Sequence, residues 1–154
     1  MDKKQFLSIS RKFFKEKGCQ IIKNSRFIYQ TEEFDVEFQM MHSNFGEYYY
    51  LSYYFYLHGM GSYYPTSDEC ASGRVSDLMS TPEIYYLDIE QDDFSKRLER
   101  VFDEELKPIM EQGLSYIMKL WKSQKLLLFA GTTKYMQSLE KEMSASKQKK
   151  IETK

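Results

Sequence analysis

Few groups in this chain could do bond-making chemistry. There are two histidines, His42 and His58, and two cysteines, Cys19 and Cys70. The histidines flank a tyrosine-rich segment and lack the spaced partners of a metal-binding helix, so they read as structural. No thiolate-stabilising neighbour accompanies either cysteine, and two lone cysteines do not make a disulfide framework. Both are expected reduced, Cys19 as a small apolar side chain at a strand start and Cys70 in a polar loop. Asp68, Glu69 and Asp77 carry hard oxygen donors, yet lack the regular spacing and the glycine of a calcium loop. Gly59-Met60-Gly61 has no third glycine and no strand–turn–helix context, and no P-loop, HExxH or CxxC occurs. The sequence therefore predicts no catalytic residue, no cofactor and no metal.

Charge and tyrosine carry the stronger signal. The chain holds 22 Lys+Arg against 23 Asp+Glu, a near-neutral total that hides segregation. Residues 1–30 are net +6, residues 31–93 net −12 with Arg74 as their single base, and residues 94–154 net +5. Eight of the 13 tyrosines lie between Tyr48 and Tyr64. Tyrosine offers a large rigid contact area and a hydroxyl, and carboxylates set among tyrosines suit a cationic protein partner. The acidic middle and the lack of a recognition motif oppose nucleic-acid binding. Arg74 is expected to pair with a local carboxylate and order the loop around it.

These side chains need elements to position them. Phe6, Ile9, Phe13 and Phe14 predict a helix over 2–17 that stops at Gly18. Residues 20–30 read as a strand bent at Asn24-Ser25, and Thr31-Glu32-Glu33 as a turn. Residues 34–41 alternate, with Phe34, Val36, Phe38 and Met40 on one face and Asp35, Glu37 and Gln39 on the other. Residues 47–57 are apolar or aromatic on both faces. If helices cover Phe34, Val36 and Phe38, then Asp35 and Glu37 are expected exposed, beside outward-facing Tyr48, Tyr50, Tyr54 and Tyr56. The same tyrosine strand would also fit between two helical layers.

Residues 62–82 read as an irregular loop, and 84–89 as a short strand. A helix starts at Asp92 or Asp93, its apolar stripe running from Phe94 through Leu98, Val101, Phe102 and Leu106 to Ile109, with Pro108 ending or kinking it. Helices are predicted over 113–129 and, after a break at Gly131, from Thr132 or Thr133 to Met143. The expected architecture is α+β: an antiparallel sheet of about four to five strands with helices on one face, in a single domain over 1–143. Residues 144–154 are expected to form a polar, disordered tail. No window reaches the length of a membrane helix and no signal-peptide pattern opens the chain, so a cytoplasmic location is expected.

The chain resembles the small bacterial proteins grouped as domain of unknown function 4304, over roughly residues 5–130. The likeness lies in the amphipathic helix ending at Gly18, in Phe38-Gln39 within a strand, in Asp68-Glu69-Cys70 followed by Arg74-Val75-Ser76-Asp77-Leu78, and in the helical region around Leu106-Lys107-Pro108. It departs from that pattern at Cys19, where an aromatic is expected, and after Leu78, where a tryptophan is expected. The resemblance implies a small α+β protein of the kind found beside bacterial toxins, where such proteins act as immunity proteins. The expected function is thus neutralisation of a cationic toxin, such as a nuclease, by surface occlusion. The expected contact residues are Asp35, Glu37, Tyr48, Tyr50, Tyr54, Tyr56, Tyr63, Tyr64, Asp68 and Glu69. The alternative is a small-ligand or peptide-binding module with a tyrosine-lined cleft. A third, weaker reading is an enzyme using Arg74 with Asp68, Glu69 or Asp77.

Overall fold

The computed structural model describes residues 1–58, 70–74, 83–123, 127–128 and 130–152. Tyr63, Tyr64, Asp68, Glu69 and Asp77 lie outside the described residues, as does the side chain of Arg74.

The protein is α+β. Helix α1 (Lys3–Glu16) opens with a capping box, in which the Asp2 carboxylate accepts from the Gln5 backbone N–H and the Gln5 side chain accepts from that of Asp2. It closes as the sequence predicts. Gly18 takes φ +92°, which frees its N–H for the Lys15 carbonyl and the Cys19 N–H for that of Phe14. Strands β1 (Gln20–Lys23) and β2 (Arg26–Gln30) form a hairpin across Asn24-Ser25. Strands β3 (Phe34–His42) and β4 (Tyr48–Leu57) follow as the long antiparallel pair at the centre of the sheet. Two short strands share the other edge of β4. Strand β5 (Cys70–Arg74) pairs with its second half and β6 (Glu83–Tyr85) with its first.

Helix α2 (Gln91–Val101) passes through a π-helical turn at Phe102–Leu106 into α3 (Lys107–Gln112). The turn has a visible cause. Pro108 has no N–H for the Glu104 carbonyl, and Lys107 N–H reaches back five residues to Phe102. The apolar stripe survives this widening, because Phe94, Leu98, Val101, Phe102, Leu106 and Ile109 are all buried. Gly113 at φ +67° separates α3 from α4 (Leu114–Lys122).

Several boundaries differ from the sequence reading: β6 ends at Tyr85 where a strand to Ile89 is expected, and α2 is capped at Glu90, not at Asp92 or Asp93. Residues 127–128, expected within a helix, form strand β7 against β5. β5 itself lies inside the stretch expected to be an irregular loop. Helix α5 (Ala130–Glu152) runs through Gly131 and through the lysine-rich segment expected to be a disordered tail. Alanine, glutamate, glutamine and lysine are strong helix formers, and one glycine near a helix start costs only about 1 kcal/mol.

One hydrophobic cluster fills the space between helices and sheet. Phe14 stacks on Phe27 at 4.6 Å and on Phe38 at 5.3 Å between ring centroids. The registers Phe34↔Leu57, Val36↔Phe55, Phe38↔Tyr53 and Met40↔Leu51 put the predicted apolar face of β3 into this core. Cys19 is buried at the sheet's entry, where desolvation pushes its thiol up to about 12.

Candidate protein-docking site

Asp35 and Glu37 stand on the predicted face of β3, opposite Tyr56 and Tyr54, but they are not exposed. Asp35 is 3% and Glu37 0% exposed, so the expectation that they form an outward acidic surface is overturned. Long polar neighbours on the same face lie over them. Arg26, two strands' width from β4, donates from Nε to Glu37 Oε1 at 2.6 Å and pairs with the same oxygen through a terminal nitrogen. Gln39 and Tyr56 donate to the other oxygen at 3.0 and 2.8 Å. The Glu37 carboxylate is thus paired and hydrogen-bonded, as a buried charge must be. These contacts make the pair structural.

Asp35 is held by His58. His58 Nε2 lies 2.9 Å from Asp35 Oδ1, and Nδ1 lies 2.9 Å from the Glu32 carbonyl oxygen. Both partners are acceptors, so the protonated imidazole, with both ring nitrogens donating, satisfies the two contacts at once. The bond to Asp35 first, and the one to the Glu32 carbonyl second, raise the His58 pKa above its ordinary 6.5. A raised folded-state value gives stability that is present below about 6.5 and is lost as pH climbs through the folded-state pKa. The melting temperature of the wild type should therefore exceed that of His58→Gln at low pH. The gap should narrow as pH rises from about 6.5, read from paired thermal melts.

Among the described residues, the most exposed apolar side chains lie at the other end of the same sheet. The turn after β3 leaves Phe45 93% exposed, while Leu87 and Tyr85 are exposed by 57% and 43%. β6 pairs with β4 through Tyr48↔Tyr85 and Tyr50↔Glu83, which brings three tyrosines and one carboxylate together. The Tyr48 ring lies 4.9 Å from Tyr85 and 5.3 Å from Tyr50. Glu83 accepts from Tyr85 at 3.1 Å and from Tyr50 at 3.4 Å. The bond to Glu83, with the nearby charge of Glu83 and Asp88, holds the Tyr85 phenol above its ordinary value. Gly46 lies directly against the Tyr48 ring, where an added Cβ would come within 2.7 Å of it. Exposed Glu47, Asp88 and Glu90 lie on the chain segments that carry this patch.

Of the predicted contact residues, Tyr48 and Tyr50 belong to the patch. Tyr54 and Tyr56 are half-buried further along β4, where Tyr56 serves Glu37 and the Tyr54 hydroxyl lies 3.6 Å from Met41 Sδ. Phe45, Glu83, Tyr85 and Leu87 were not singled out from the sequence. The available signal was an aromatic in an Asn-Phe-Gly turn, a position where apolar side chains have nothing to pack on. A separate groove of about 330 Å³ runs between α1 and α2, lined by residues including Ile9, Lys12, Phe13, Asp92, Ser95 and Glu99, and by none of the predicted tyrosines. Among the described residues no helix is long and apolar enough to cross a membrane. No protein-family model, curated protein or solved structure matches the chain.

Proposed function

We propose that this is an immunity-type binding protein that occludes a cationic protein partner, a toxin domain, and has no chemistry of its own. The observation that carries the reading is Phe45, 93% exposed in the turn that leads into the packed tyrosine cluster of β4 and β6, with Glu83 bonded inside that cluster. An apolar ring in water has no folding purpose, whereas a ring that enters a partner's pocket is the usual anchor of an interface. The surrounding Glu47, Glu83 and Asp88 supply the field that would steer a basic partner. Asp35 and Glu37 contribute no contact in this reading, because they are buried.

The test is co-expression with the product of the neighbouring gene, followed by binding kinetics on the purified pair. Phe45→Ala should speed dissociation roughly 10–100-fold, the effect of losing an anchor worth about 1–3 kcal/mol, and leave the melting temperature unchanged. Association should slow steeply with added salt, since steering acts over roughly 8 Å at physiological ionic strength. Lys4→Ala, on the exposed side of α1, is the control and should change neither rate. Salt-independent association together with an unaltered Phe45→Ala complex would overturn this reading and move the docking site away from the tyrosine patch, to a surface such as the groove between α1 and α2.

A further inference from the structure

We propose that the open edge of β1, beside the basic flank of α1, is a strand-pairing site for an extended acidic segment of a second protein. β1 ends the sheet, and among the described residues no strand pairs with its outer edge. All four of its residues are exposed, Ile21 by 42% and Ile22 by 38%. An edge strand turns a row of backbone N–H and C=O groups outward, to which an added strand can bond. The two β-branched side chains give such a strand an apolar surface to pack on. The edge is not open to every strand. The β1–β2 register passes over Ile22, a bulge of the kind that restricts edge pairing, and Lys23 places a charge at the strand end.

The charge around this edge selects the partner. Phe14 stacks on Phe27, so α1 lies over β2, and Arg11 donates to the Asn24 side chain in the β1–β2 turn at 2.9 Å. Arg11 therefore sits on the flank of α1 nearest β1, and exposed Lys15, one turn on, shares that flank. Glu16, the single acid of α1, lines the groove toward α2 instead. Ile21 stands opposite Phe27 and so lies on the helix side of the sheet. A strand added beside β1 places every second side chain on that same side, next to Ile21 and in the field of Arg11 and Lys15. Carboxylates at those positions are complementary. A second copy of this chain is not, because edge-to-edge pairing about a two-fold axis sets two basic flanks against each other. β1 and β6 lie on opposite sides of the central β3–β4 pair, so this site is separate from the Phe45 patch and takes the opposite charge.

A fluorescein-labelled octapeptide of alternating glutamate and valine, titrated into the purified chain and read by anisotropy, tests the site without any protein partner. Saturable binding is expected, and a lysine–valine peptide with the same label should bind at least about tenfold more weakly. Ile22→Pro should abolish binding, since proline removes a donor and crowds the edge, and the β1–β2 register that skips Ile22 spares the hairpin. Lys15→Glu alters an exposed side chain, should weaken binding roughly three- to tenfold, and keeps the test decisive if Ile22→Pro fails to fold. Phe45→Ala should leave peptide binding unchanged, which separates this site from the proposed toxin contact. Absence of saturable binding overturns the proposal, as does equal affinity for the two peptides or wild-type affinity in Lys15→Glu. So does a concentration-dependent dimer that Ile22→Pro dissolves, because the edge would then belong to a second copy.

Discussion

Arg26→Ala should destabilise the fold by about 3 kcal/mol, because it strands the Glu37 carboxylate without its counter-charge. The Glu37 side chain is 1% exposed, so water cannot replace the lost partner, and Gln39 and Tyr56 would remain as its only donors among the described contacts. The cost sits at the low end of the range for a broken buried pair because Arg26 itself is 31% exposed. For a domain of this size the melting temperature should fall by roughly 6–12 °C. Glu37→Gln alone should cost only about 1 kcal/mol, since it removes the charge while keeping an acceptor for Tyr56. The double variant Arg26→Ala/Glu37→Gln should accordingly melt above Arg26→Ala. A cycle in which the two effects simply add would show that the pair is not coupled. Denaturant melts of the four proteins decide it.

Phe6→Ala should be at least as damaging, at about 3–5 kcal/mol and roughly 10 °C or more in melting temperature. Phe6 is fully buried and stacks on Tyr49 at 4.5 Å and on Phe94 at 4.4 Å, so one ring joins α1, β4 and α2. Truncation would open a cavity where three elements meet, and a rigid aromatic layer relaxes poorly into such a gap. Phe6→Leu, which refills most of the volume, should recover more than half of the loss. The comparison with Phe45→Ala isolates burial from residue type. The same substitution at a 93% exposed ring should leave the melting temperature alone. Equal shifts at the two positions would mean that Phe45 packs on the protein itself.

Periodicity and special residues were enough to read much of this fold from the chain alone. The two-residue alternation of 34–41 set the core face of β3, because Phe34, Val36 and Phe38 have one place to go. Gly18 ended α1 where the left-handed turn demands it, and the stripe from Phe94 to Ile109 kept its phase through the π-helical turn. The segregation of acidic and basic segments is likewise a property of the chain. Tertiary structure alone decided which carboxylates meet water. Alternation assigns Asp35 and Glu37 to a face but says nothing of what lies on that face. There Arg26, Gln39, Tyr56 and His58 converge from separate strands and turns. Long side chains reach across strand registers that no local pattern records. The same holds for the Tyr48–Glu83–Tyr85 patch, which joins residues far apart in sequence through pairing between β4 and a three-residue strand too short to announce its partner.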